Sequence, residues 1–340
     1  MSTKPAIRHS KPLDMRQHKR EWLDIKYLQR HQEKYAHFSK YILGHPKKIS
    51  VDECYICGSK DSTYFGTTYD LPYHQCSHCE HVYAKVCLAE EDLAEYYSAD
   101  YFVDSTYLDV SHVKDRTELL VAPKIKYIAE FVKSSRRRWL DVGAGSGGSV
   151  AYAKSIGFDA HGIEPGENAV AFGKKMYDVE LSTRSLKEEL AVSGKESFDV
   201  VSFFLVLEHV RNPFEMVTMA NELLPKGGLL VIEVPKADSV AAMGDIAYPG
   251  QAIRQLMGDH IMNYSMKSLQ YLTDKNGFDI EGIWYMGQDV FNLVIHMALQ
   301  QPSFLQSALC NFFIDNNNAL QEVIDKKELS DEVIIVARKR

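Results

Sequence analysis

One stretch restricts the possible folds more than any other. Arg138-Trp139-Leu140-Asp141-Val142 reads as a short buried strand. It runs straight into Gly143-Ala144-Gly145-Ser146-Gly147-Gly148, and a helical pattern begins near Ser149. A strand that enters a helix through a glycine-rich turn is the opening unit of an open parallel sheet. Its glycines admit left-handed backbone and let a ligand approach the helix N-terminus. The alternation continues downstream, with strands expected at 138–142, 160–164, 179–182, 198–206, 229–234, 278–285 and 332–338. This predicts an α/β domain over 121–340, a seven-stranded sheet with helices on both faces. Between the last two strands, 287–329 is far longer than a turn. It reads as an inserted helical pair broken at Gln301-Pro302, a candidate substrate lid or dimer surface.

Gly143, Gly145 and Gly148 satisfy G-x-G-x-x-G, which suits a dinucleotide and S-adenosylmethionine equally. Asp141 separates the two. A carboxylate two residues before the first glycine repels a pyrophosphate but pairs with an ammonium. With this motif the chain resembles the class I S-adenosylmethionine-dependent methyltransferases, and the resemblance runs over 138–236. It implies a Rossmann-like sheet of order 3-2-1-4-5-7-6 with the last strand antiparallel. It also implies cofactor contacts from Asp141, Gly143, Ala144, Gly145 and Gly148. Glu164 and Pro165 would lie at the ribose, although Glu164 alone also suits the ribose of NAD. Ser185 and Leu186 would lie near adenine, and Phe204 and Leu205 at the end of the fourth strand.

The fold names no acceptor. The fourth strand lacks an Asn/Asp-Pro-Pro-Tyr/Phe exit, and no Pro-Cys nucleophile is present, which lowers the weight of nucleobase amino and C5 chemistry. Leu207-Glu208-His209-Val210 resembles the small-molecule O-methyltransferases, including the ubiquinone-biosynthesis type. The segment from Asp259 to Leu269 resembles methyltransferases of sugar and glycan biosynthesis, several of which carry an N-terminal four-cysteine zinc module. The chain lacks the large C-terminal domain of the C-methylating members, so the resemblance points to a hydroxyl on a sugar, a nucleotide-linked sugar or another glycan precursor. His209 or His260 would take the acceptor proton and Tyr264 would orient the acceptor. Asp289 is a further acceptor-site candidate. Arg211 and Lys236 follow the fourth and fifth strands; their default is solvation, and their alternative a nucleotide phosphate.

Cys54-Tyr-Ile-Cys57 and Cys76-Ser-His-Cys79 have zinc-ribbon spacing, so 51–90 reads as a closed structural Zn²⁺ module. His74, His78 and His81 crowd the second pair as substitute ligands. Cys87 and Cys310 default to buried small apolar residues. Residues 1–50 hold 12 Lys and Arg against 4 Asp and Glu, and the other 290 hold 27 against 42. A basic segment therefore precedes an acidic body. Met15, Trp22, Ile25, Leu28, Tyr35, Phe38 and Ile42 recur at helical spacing, predicting one long amphipathic helix docked on the body or on a second subunit, the alternative being a nucleic-acid or anionic-lipid arm, with a helical linker over 91–120. No apolar run approaches bilayer length and the polar start has no signal-peptide core, so the expectation is a cytoplasmic chain without membrane contact. The acidic body argues against nucleic acid. The rivals are an rRNA guanine methyltransferase with a zinc module, and a non-catalytic module that keeps the cofactor pocket as a relic.

Overall fold

Along 138–142 the side chains alternate, and both faces are buried. Leu140 and Val142 pack with Val201, Phe203, Leu230 and Ile232 on one side. Trp139 packs with Val200, Leu229 and Val231 on the other. A strand apolar on both faces needs helices above and below it. The computed structural model describes residues 4–89, 91–93, 113, 115–252 and 254–340; most of the expected 91–120 linker lies outside them.

The main sheet contains β1 (Ala6–His9), β5 (Arg138–Val142), β6 (Asp159–Ile163), β7 (Val200–Phe204), β8 (Leu229–Pro235), β10 (Phe278–Met286) and β11 (Glu332–Lys339). Their spatial order is β1-β10-β11-β8-β7-β5-β6. All run parallel except β11, which is antiparallel to both neighbours. Six of the seven expected strands thus stand in the expected order, and the sheet is the mixed Rossmann-like one predicted.

The exception is 179–182. Ser182 makes only an isolated bridge to Ile163. The segment is four residues long and follows a left-handed Asp178. The Val179 and Leu181 side chains are spent packing against the cradle, where a Cβ at Gly147 would meet Val179 Cγ2 at 2.7 Å and one at Gly162 would meet Leu181 Cδ2 at 2.6 Å. The seventh place goes instead to β1, at the opposite edge against β10.

That strand also corrects the reading of 1–50 as one long helix. Asp14 accepts hydrogen bonds from the amides of Arg16 and Gln17 and caps a short helix over Met15–His18. Asp24 accepts from the Lys26 amide and starts the main helix, Ile25–Gly44. Each aspartate resets the backbone, so the apolar stripe is divided among the short helix, a 3₁₀ turn over Arg20–Leu23 and the main helix. Leu13, Met15 and Leu28 pack on Phe291, Val294, Ile295 and Ala298 of the inserted segment. The insertion has three helices rather than two, Asp289–Gln300, Ala308–Asp315 and Asn317–Lys326, with the expected break at Gln301-Pro302 filled by a 3₁₀ turn.

Three antiparallel strands, β2 (Ser62–Thr68), β3 (Leu71–Cys76) and β4 (Val82–Ala84), form the ribbon. A fourth, β9 (Met262–Asn263), comes from the segment after β8 and pairs with Val82 and Tyr83. The ribbon therefore shares a sheet with the loop that borders the parallel strand ends. Among the described residues no helix is long and apolar enough to cross a membrane.

Candidate active site

Asp141 lies opposite Ser202 in the β5–β7 register. The Trp139 indole N–H donates to Ser202 Oγ at 2.8 Å, and Ser202 Oγ donates to Asp141 Oδ1 at 2.7 Å. Ser149 Oγ, on the first turn of the helix beyond the glycines, donates to Oδ2. The carboxyl group is thus held from two sides while 2% exposed. Burial raises its pKa to about 6, against the lowering effect of the two serines.

Above it the chain turns on Gly143 (φ 69°), Gly145 (φ 54°) and Gly147 (φ 78°). A Cβ at Gly143 would stand 2.6 Å from Val206 Cγ2, so only glycine leaves room where the cradle faces the end of β7. Glu164, past the end of β6, accepts from the Gly145 amide at 2.8 Å and the Gly166 amide at 2.9 Å, tying the glycine loop to the next βα turn. Burial raises its pKa. Ala144 is buried and Pro165 is exposed. Gly148 opens the helix Gly148–Ser155. Ser185 caps the helix Leu186–Ser193, its hydroxyl paired with Glu188, and Leu186 is buried. The cradle unites residues from three βα turns around a buried carboxylate, an arrangement fitted to an ammonium and a diol.

At the end of β7, Phe204 leads into Leu205, which adopts φ 56° with its amide on Glu233 O at 3.0 Å. A left-handed leucine is strained, and such strain gathers where the chain must re-aim side chains. The turn swings Glu208 and His209 inward to meet His260. The rings of His209 and His260 lie 5.0 Å apart. His209 Nδ1 is bonded to Asp259 O at 2.9 Å and His260 Nδ1 to Gln255 O at 3.0 Å. Carbonyl partners assign the proton to Nδ1 in both rings, which leaves Nε2 the lone-pair atom. Burial lowers the pKa of His209 to about 4 and that of His260 well below the usual range, and raises that of Glu208.

Sequence reasoning singled out both histidines but not Glu208. The signal was a glutamate directly before His209 in an otherwise apolar run. Neither did it single out Ser149 and Ser202, whose role appears only in the register.

Other expected acceptor residues have different places. Tyr264 is fully buried; its hydroxyl donates to Leu207 O at 3.0 Å, and its ring lies 4.9 Å from that of His81. It holds the β7 exit against the ribbon, and its hydroxyl is committed to that backbone carbonyl rather than offered to an acceptor. Asp289 is buried too, accepting from the amides of Ala241 and Asp331 and from Gln321, so it ties the insertion to the sheet. Lys236 is not solvated: it is 1% exposed and bonds Asp238 at 2.7 Å. Arg211 faces Tyr55 and Cys87. Cys87 and Cys310 are buried, as expected.

The Sγ atoms of Cys54, Cys57, Cys76 and Cys79 all lie within 4.8 Å of one another, with two pairs at 3.5 Å. Four sulfurs about 2.3 Å from a tetrahedral ion are about 3.8 Å apart, so the cluster fits a closed thiolate site. No disulfide joins them.

Because β1 runs parallel to β10, its end delivers Lys11 to the ligand-binding edge of the sheet. There Lys11, Lys19, Lys124 and Arg254 surround Glu233, Asp331 and Glu332. Burial depresses Lys11 to about 8 and Lys19 to about 7.

Residues 113–282 match the family described as "Methyltransferase domain". The ubiquinone biosynthesis O-methyltransferase of a Cereibacter sphaeroides strain is 31% identical over 115 residues, which is 32% of this chain and 46% of that protein. The one from Pseudomonas putida W619 is 30% identical over 130 residues, 36% of this chain and 56% of that protein. The chain spans about half the length of the curated relatives it matches. Among solved structures, the 1,6-didemethyltoxoflavin-N1-methyltransferase of Burkholderia thailandensis gives a TM-score of 0.47 at 14% identity, covering 76% of this chain and 96% of that one.

Proposed function

The chain belongs to the methyltransferase-domain family, and from that premise we propose that it methylates a hydroxyl of a small anionic molecule, such as a nucleotide-linked sugar or another phosphorylated glycan precursor. The observation that carries this reading is the placement of His209 beside His260 at the end of β7, next to the cradle built on Asp141 and Gly143. When bound, S-adenosylmethionine supplies a methyl group on an electrophilic sulfonium. Asp141 pairs with the ammonium of its methionine moiety and Glu164 accepts from the ribose hydroxyls. Ser185 and Leu186 border the adenine. The glycine loop excludes side chains from the space between. Catalysis then rests on holding the acceptor oxygen in line behind the methyl carbon, with the Glu208, His209 and His260 cluster beside the oxygen as it loses its proton.

The cations at the same edge favour an anionic acceptor. Lys11, Lys19 and Arg254 lie half-buried where an open sheet receives ligands. An RNA substrate is less favoured, since part of the basic N-terminal segment is spent within the chain. Arg8 pairs with Glu130 at 2.9 Å, Arg16 with Asp315 at 2.7 Å, and the apolar stripe is packed on the insertion. The four cysteines hold a structural zinc ion in this reading. The ribbon in turn braces the acceptor loop, as Ser265 Oγ donates to Cys79 O at 3.1 Å.

The test is transfer of labelled methyl from S-adenosylmethionine into a native extract, fractionated afterwards into small molecules, glycan, RNA and protein. Label in the small-molecule fraction, retained by anion exchange, is expected. Label in RNA would overturn the reading.

A further inference from the structure

We infer that Glu208, His209 and His260 form a second metal site, one that holds a divalent first-row transition ion with positions open to the acceptor. The inference rests on the proposed methyl transfer for its purpose, not for its geometry.

One ligand atom from each of the three residues lies within 4.8 Å of the others. Small side-chain rotations close that separation onto one ion with bonds of about 2.1 Å. Two imidazoles and one carboxylate on one side of an ion leave the opposite side for water or substrate.

Three features prepare the residues for this role. Each histidine has its Nδ1 on a backbone carbonyl, at 2.9 Å and 3.0 Å. Such second bonds orient metal-ligating histidines and fix Nε2 as the donor atom. Glu208 is fully buried, and neither carboxylate oxygen has a hydrogen-bond partner among the described residues. A buried carboxylate in that state is costly unless a cation completes it. The loop is also fixed from both ends. The Met262 amide donates to Glu208 O at 3.2 Å, Tyr264 holds Leu207 O, and Leu205 sets the turn. The structure thus spends backbone strain and a buried phenol to keep an uncompensated glutamate beside two imidazole nitrogens.

The site differs from the cysteine cluster in ligand type and in offering three ligands rather than four, so the two have different roles. The ion here binds the acceptor hydroxyl oxygen and makes it more acidic. The proton passes to solvent, the oxygen lone pair forms the new C–O bond, and the C–S pair stays on sulfur, leaving S-adenosylhomocysteine.

The test is Co²⁺ titration of the full-length protein after metal removal, followed by absorption spectroscopy and metal analysis. Two equivalents are expected. One shows thiolate-to-cobalt charge transfer, and one shows only the weak visible bands of nitrogen and oxygen ligation. Glu208→Gln, which keeps the side-chain shape, and His260→Ala are each expected to lose the second equivalent and keep the first. Calorimetric binding of S-adenosylmethionine is expected to be unchanged in both variants, which separates this site from the cofactor reading. A wild-type protein that takes up only the thiolate-bound equivalent would overturn the inference. So would two equivalents that survive in both variants.

Discussion

Replacing Asp141 by Asn removes a charge and little else. The amide occupies the same volume between Ser149 and Ser202. Both serines can stay bonded to it, one hydroxyl donating to the amide oxygen and the other turning to accept from the amide nitrogen. Two effects of opposite sign follow. Burial holds the carboxyl at about 6 against an ordinary 3.8, and each unit corresponds to about 1.4 kcal/mol, so ionised Asp141 costs the unliganded fold about 3 kcal/mol at pH 8. The sign follows from proton binding. The folded state holds this proton more tightly than the unfolded chain, so the cost is absent below pH 4, grows between about 4 and 6, and is constant above. Asn avoids it. The variant's unliganded stability should rise by on the order of 1–3 kcal/mol at pH 8, with the gain vanishing near pH 4. Cofactor affinity should fall instead, because a charge-assisted contact is worth about 1.5–3 kcal/mol, on the order of 10- to 100-fold. Denaturant unfolding at the two pH values and calorimetry with S-adenosylmethionine measure both. Unchanged affinity, or a loss of stability at pH 8, would refute the assignment of Asp141 as the ammonium partner.

The same carboxyl makes cofactor affinity pH-dependent: Kd should be flat above pH 7 and rise as pH falls through about 6, toward tenfold per unit, and a flat calorimetric profile from pH 5 to 8 would contradict it. Gly143→Ala should abolish cofactor binding and destabilise by about 1–3 kcal/mol, because it forces both a left-handed alanine and a 2.6 Å contact with Val206. Adding Val206→Ala should recover the steric part alone, as read by thermal unfolding. Cys54→Ser with Cys76→Ser should lose one zinc equivalent in metal analysis and expose the ribbon to proteolysis, since metal binding there is folding free energy; wild-type protein free of zinc would contradict this. Arg8→Ala removes the contact of Arg8 Nη2 with both Glu130 carboxylate oxygens and a guanidinium 4.5 Å above Tyr127, and should cost about 1 kcal/mol in chemical denaturation.

The parts legible in the sequence were those written in local pattern. Val142-Gly143-Ala144-Gly145 announces a βα turn because only glycine admits its backbone, and C-x-x-C spacing announces a thiolate cluster because two residues make one tight turn. Strand β1 was not legible. Ala6–His9 is four residues long with Ile7 half-exposed, so it carries no periodicity of its own and becomes a strand only because the β10 edge offers hydrogen bonds. The reverse holds at 179–182, where a strand-like run spends its side chains on the glycine cradle. Tyr264 and Asp289 were read by residue type as acceptor groups, and burial makes them braces. Glu208 was missed because its meaning depends on His260, which lies 52 positions away in the sequence. The same is true of the Asp141–Ser202 pair, which only the sheet register brings together.

The most direct measurement of the central claim is the chemical identity of the methylated product. The protein would be incubated with S-adenosylmethionine carrying a ¹³C methyl group and the low-mass fraction of a native extract, and the product read by carbon–proton correlation NMR. The account predicts a methyl resonance in the ether range on an anionic small molecule, absent with the Asp141→Asn variant at limiting cofactor. A methyl bonded to carbon or nitrogen, or label recovered only in RNA, would contradict it.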